Sequence, residues 1–104
     1  MIRRLKEPDR AAAVALLNRQ PALNLYFLGN IAALGFDTDF CEFWGDWDET
    51  GRLRAVLNRY RTGWVVYGLP DADWRGLGQV VDSHRVTAAR LQDNPGGVPS
   101  FLPY

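Results

Sequence analysis

Cys41-Glu42-Phe43-Trp44-Gly45-Asp46-Trp47, then Asp48-Glu49-Thr50-Gly51, then Arg52-Leu53-Arg54-Ala55-Val56-Leu57-Asn58 is the stretch whose reading decides the fold. Its first run alternates with a period of two, which is the period of a strand. Cys41, Phe43, Gly45 and Trp47 fall on one face, and Glu42, Trp44 and Asp46 on the other. Residues 48–51 read as a hairpin turn in which Gly51 supplies the positive φ. On the return, Leu53, Ala55 and Leu57 alternate with Arg52, Arg54, Val56 and Asn58. Arg61-Thr62-Gly63 is a second turn. Trp64-Val65-Val66-Tyr67 is apolar throughout, as a central strand covered on both faces would be. Residues 42–68 are therefore expected to form an antiparallel meander with helices on at least one face.

Outward from the meander, the pattern turns helical. Upstream, residues 1–5 are a short strand candidate able to pair with a later one. Pro8 suits the first helical position, and Asp9 sits where a negative charge favours the helix dipole. Residues 11–17 continue that helix, with Val14 and Leu17 toward the core, and it ends before Pro21. A second helix is expected over residues 22–34, where Leu23, Phe27, Ile31 and Leu34 recur at helical spacing and Gly35 follows as a left-handed cap. Asn24 and Asn30 lie off that stripe, and Gly29 inside it costs about 1 kcal/mol of helix propensity relative to Ala.

Downstream, Asp71 or Asp73 can cap a third helix running to about His84. Residues 85–91 read as a further strand. Asp93-Asn94-Pro95-Gly96-Gly97 is loop chemistry, so the chain divides into one domain over residues 1–91 and a loop-like tail over 92–104, where Phe101, Leu102 and Tyr104 fall.

The bulk numbers fit one domain. The chain has 104 residues, 47% hydrophobic and 12% aromatic, enough for a single core. Twelve acidic side chains balance twelve basic ones, which argues against nucleic acid or an anionic membrane as partner, since both demand a basic excess. Cys41 is the only cysteine and His84 the only histidine, so neither a cysteine-based metal cluster nor an internal disulfide is expected. No apolar run follows the basic start, and none approaches the roughly 20 residues of a membrane helix. A cytoplasmic protein is the expectation.

A strand, two helices, a meander and then Arg75-Gly76-Leu77-Gly78 opening a helix is an order similar to the front part of the GNAT superfamily of N-acetyltransferases. In particular it is similar to the front domain of bacterial members that carry one acetyltransferase-like unit before the catalytic one. The residues that carry it are Glu7-Pro8-Asp9, Asn24-Leu25-Tyr26-Phe27-Leu28-Gly29-Asn30-Ile31, Phe43-Trp44-Gly45, Gly51, Leu53, Ala55-Val56-Leu57, Tyr60 and Val65-Val66-Tyr67. The resemblance covers roughly residues 1–90. It implies an α/β (α+β) fold with a mixed, mostly antiparallel sheet and about three helices, incomplete at its C-terminal end.

The superfamily's signature, Arg/Gln-x-x-Gly-x-Gly/Ala, lies on Arg75-Gly76-Leu77-Gly78-Gln79-Val80. Backbone N–H groups at a helix start hold a pyrophosphate there. The resemblance thus implies Arg75, Gly76, Leu77 and Gly78 as the cofactor-binding residues and acetyl-CoA as the cofactor of an active form. Val80 stands where the family has Gly or Ala. The same segment has a packing reading: Trp74, Leu77, Val81 and His84 form one helical stripe, and a cap at Asp71 would consume the amides of residues 75–78 within the helix.

Acetyl transfer to an amine also needs a base and an acid. Glu42, Asp46 and Asp48 lie on or beside the first meander strand, and Tyr67 and Tyr104 are the tyrosines to weigh; no pair stands out. His84 reads as a helix-end or surface residue and Cys41 as buried and inert. The tryptophans at 44, 47, 64 and 74 line a ligand groove or serve packing. Arg52, Arg54, Arg59 and Arg61 form a basic patch suited to a CoA 3′-phosphate, to an acidic partner, or to guarding a sheet edge.

The functional expectation is a GNAT-related domain that does not catalyse alone and docks a catalytic GNAT half or a second copy of itself. The alternative is a small acetyl-CoA-dependent N-acetyltransferase whose cleft is completed by dimerisation.

Overall fold

The computed structural model describes the backbone of residues 1–92 and the side chains of residues 1–84. The order is β1 (Ile2–Arg4), a short 3-10 turn (Glu7–Asp9), α1 (Arg10–Leu17), α2 (Leu25–Leu34), β2 (Cys41–Trp47), β3 (Leu53–Tyr60), β4 (Gly63–Gly68) and α3 (Trp74–Gln92). The strands form one sheet in the order β1-β2-β3-β4, and every pairing is antiparallel. It is an α/β fold of three helices on a four-stranded sheet.

Helices cover both faces. Leu5, Ala13, Leu17, Phe27, Ile31, Phe36, Phe43 and Val56 form one buried cluster between α1, α2 and the sheet. Ala55, Leu57, Leu77 and Val81 form the other, beneath α3. The alternation read along β2 holds, with Cys41 and Phe43 in the first cluster and Trp44 against the second. Gly45 has a packing reason: a Cβ there would lie 2.6 Å from Leu5 and 2.7 Å from Leu53.

Several expectations need correction. Leu53 does not share a face with Ala55 and Leu57. Asp46 pairs with Ala55 and Trp47 with Leu53, so Arg54 is an extra residue in β3. That bulge turns Leu53 to the α1–α2 side. The apolar run of β4 is not central; among the described strands β4 is an edge, and its residues from Trp64 to Gly68 are only half-buried. Residues 85–91 are not a strand, because α3 continues through them to Gln92.

α2 starts at Leu25 rather than near Ala22, and its core stripe is Phe27 and Ile31; ahead of it Leu23 is 67% exposed, and Asn24, read as off the stripe, is 1% exposed. Asn24 is buried because its Nδ2 donates to the Leu17 carbonyl at 2.9 Å, fixing the α1–α2 corner. Gly35 ends α2 with the positive φ expected, 68°, but its ψ of −153° lies outside the left-handed helical region, so the cap is not of the left-handed helical type. The first hairpin also has its glycine, Gly51 with φ 85°. Readings that fell on residues 93–104, including Tyr104, lie outside the described residues.

Candidate functional site

The start of α3 is built around two aspartates. Asp73 caps the helix: its Oδ1 accepts the Gly76 N–H at 2.9 Å, and its carbonyl accepts the Leu77 N–H at 3.1 Å. The Trp74 N–H is also engaged, with the Ala72 carbonyl at 3.0 Å. Gly78 lies inside the helix, so its N–H belongs to the helical ladder. The cap is Asp73, not Asp71. Asp71 instead receives Arg52 at 2.6 Å.

The predicted phosphate residues do not converge. Arg75 is exposed, Leu77 is buried against the sheet under α3, and Gly76 faces β1. A Cβ at Gly76 would collide with the Asp73 carboxylate and come within 2.6 Å of the Ile2 side chain. The Cβ side of this glycine is therefore filled by a carboxylate and an isoleucine. A carboxylate at this position also opposes a second anion electrostatically. Val80 packs against the α3-side core.

Asp46 holds this arrangement from below. It is fully buried, and its Oδ2 accepts the Asp73 N–H at 2.8 Å. Its Oδ1 accepts Arg54 at 3.0 Å and the Met1 amino group at 3.3 Å. Burial pushes its carboxyl pKa upward, but the hydrogen bonds from Arg54, the Asp73 amide and Met1 outweigh that and leave it below the ordinary carboxylate range. Asp46 is a charged fastener between β2, the β3 bulge and α3, with its oxygens committed to these partners. Asp48 closes the hairpin, bonded to the Thr50 hydroxyl at 2.7 Å and to Arg52, and its carboxyl is also held low, chiefly by Thr50.

Glu42, the third candidate carboxylate, sits between two arginines. Arg4 reaches it at 2.6 Å and Arg59 at 2.5 Å. The His84 Nε2 lies 3.8 Å away. His84 is not at a helix end; its Nδ1 sits 3.0 Å from the Val80 carbonyl in mid-helix. Its ring stands edge-on to Trp44 at 5.0 Å and to Trp64 at 5.4 Å, and these two indoles stack at 5.7 Å. Beside this cluster runs an open groove of about 590 Å³ between β1 and α3, lined by Ile2, Arg3, Arg4, Trp44, Gln79 and His84 among others.

The four tryptophans do not share one groove. Trp47 lies on the other face of the sheet with Arg3 over its ring at 4.5 Å, and Trp74 is half-exposed over Gly68. Tyr67 packs against the α1–α2 core. Cys41 is buried.

The basic patch also resolves into separate pairs: Arg52 with Asp48 and Asp71, Arg54 with Asp46, Arg59 with Glu42, and Arg61 over the Phe40 ring at 5.2 Å. β3, which carries Arg54 and Arg59, is an inner strand and guards no edge. Sequence spacing revealed the arginines but not the distant acids that meet them: Glu42 and Asp46 come from β2 and Asp71 from the turn before α3, and only Asp48 is local, in the hairpin.

Among the described residues, no cluster of three or more His, Cys, Asp or Glu is placed to hold a metal, and no helix is long and apolar enough to cross a membrane. No family model matches the sequence, and neither a curated protein nor a solved structure matches it.

Proposed function

We propose that this chain is an acetyltransferase-like domain that does not turn over acetyl-CoA by itself and works by docking. One observation carries the non-catalytic half of this reading: the Gly76 N–H, which a pyrophosphate would need, already donates to Asp73 at 2.9 Å. The Leu77 amide is likewise occupied, and the carboxylate that satisfies Gly76 is itself oriented by Asp46 through the Asp73 backbone. Removing that cap to admit a phosphate would cost about 1 kcal/mol for the lost hydrogen bond before any gain from the ligand.

The docking half draws on β4. It is an apolar strand at an edge of the described sheet, with no charge and no proline from Gly63 to Leu69. Proteins commonly guard such edges with charges or proline, or cover them. An edge strand without charge or proline suits a partner strand.

Isothermal calorimetry with acetyl-CoA tests the reading. No saturable heat is expected at millimolar ligand, and a saturable isotherm with one site per chain overturns it.

A second reading draws on the groove beside His84 and Glu42: a small acetyl-CoA-dependent N-acetyltransferase whose cleft a second copy completes. It expects binding heat that weakens when Gly78 is replaced by a bulky residue.

A further inference from the structure

The two edges of the sheet are chemically unlike. β1 is three residues long and carries Arg3 and Arg4, whereas β4 runs from Gly63 to Gly68 with only Gly, Trp, Val and Tyr. Antiparallel pairing alternates between residues whose amides face the neighbour and residues whose amides face away. The Leu69 N–H donates to the Arg54 carbonyl at 2.8 Å, which makes Leu69 an inward residue. Counting back in the β3–β4 register, Tyr67, Val65 and Gly63 also face β3, and Gly68, Val66 and Trp64 present their N–H and C=O groups to the side on which no described strand lies.

We infer that β4 is the homodimerisation edge of this domain, pairing antiparallel with β4 of a second copy about a two-fold axis at Val66. The inference deepens the docking reading above by naming the partner. The register follows from three properties of the strand. Centring the axis on Val66 pairs all the outward amides and carbonyls of Trp64, Val66 and Gly68; shifting it leaves some unpaired. The same register sets Trp64, stacked on Trp44 in its own chain, opposite Gly68 of the second copy, a glycine whose Cβ side its own Trp74 already covers.

Beyond the strand ends, this register brings the Arg61-Thr62 turn of each chain alongside the Pro70-Asp71 turn of the other, a base facing an acid twice by symmetry. Arg61 and Asp71 are both exposed; Asp71 already receives Arg52 of its own chain, so the second copy's Arg61 would join that pair as a second base. A self-complementary edge of this kind makes an isologous contact that closes on itself.

The test is light scattering on the full chain across a concentration series, with a spin label on Thr62→Cys. A mass of two chains is expected at high micromolar concentration. The labelled backbones should lie about 27 Å apart, from eight residues of strand separation at ~3.4 Å each. Val66→Pro removes an outward N–H without touching the β3 ladder, and should abolish the dimer. Should that variant unfold, Arg61→Asp still decides: it should weaken dimerisation about fivefold, as two rim ion pairs would, and adding Asp71→Arg should restore it. A monomer at every concentration, a label distance far from that value, or charge variants without effect each overturns the inference. A monomer that gives no heat with acetyl-CoA removes only the dimer; a dimer that binds acetyl-CoA removes only the non-catalytic reading.

Discussion

The carboxylate of Asp46 accepts the backbone N–H of Asp73 at 2.8 Å, so the second strand of the sheet holds the first turn of the last helix. The consequence runs along the chain. Asp73, once fixed, turns its own side chain onto the Gly76 N–H, an amide of the segment that the family resemblance marks for pyrophosphate. One buried acid thus links the sheet, the β3 bulge and the α3 cap.

Replacing Asp46 with Asn keeps the shape but removes the charge that Arg54 and the Met1 amino group face. Breaking one side of a buried pair is costly, tempered here because Arg54 keeps some access to water. Asp46→Asn is expected to destabilise the domain by about 2–3 kcal/mol. Urea unfolding would show a lower midpoint with an unchanged slope.

Acid sensitivity follows with a definite sign. The carboxyls of Asp46, Asp48 and Asp9 all have folded pKa values depressed below their unfolded ones. The stability they contribute is present above the unfolded carboxylate value, about 4, and is lost as pH falls through the folded values. The urea midpoint should be flat from neutral to about pH 5 and fall below about pH 4. In Asp46→Asn that fall should be shallower.

Gly76 and Gly29 should respond in opposite directions to the same change. Gly76→Ala gains helix propensity but drives a methyl group into the Asp73 carboxylate and Ile2, a net loss of about 1–2 kcal/mol. Gly29→Ala in α2 meets nothing within 4 Å and should stabilise by about 1 kcal/mol. Thermal unfolding of the two variants side by side checks both signs.

Asn24→Ala leaves the buried Leu17 carbonyl without its side-chain donor at the α1–α2 corner. A loss of about 1–2 kcal/mol is expected. Asn24→Asp should be at least as damaging, because its carboxylate would face a carbonyl oxygen in a buried site. Chemical unfolding of the pair measures this.

Much of the fold was legible because its signals are local. The period of two in β2, Gly51 in the hairpin and Gly35 after α2 each report on their own neighbourhood. What stayed hidden depended on partners distant in sequence. The bulge at Arg54 exists where Asp46 and Trp47 set the register, and strand alternation alone sends Leu53 to the wrong face. An apolar run reads alike on an inner or an edge strand, so β4 was misplaced. Residues 85–91 are rich in Val, Thr and Ala, but they continue α3.

The candidate site was legible only as a position. The sequence marks Arg75–Gly78 as a segment with two glycines, and it offers Asp71 and Asp73 as rival caps. Which aspartate bonds to which amide is decided by Asp46, more than twenty residues upstream and on another element. The pairing of Glu42 with Arg4, Arg59 and His84 is likewise a product of topology.

The central claim is that the Gly76 and Leu77 amides belong to the Asp73 cap. The most direct measurement is an amide-resolved NMR titration of the chain with acetyl-CoA. The Gly76 and Leu77 cross-peaks are predicted to stay in place up to millimolar ligand. A saturable shift of those two peaks, with loss of the Asp73 hydrogen bond, would contradict the account.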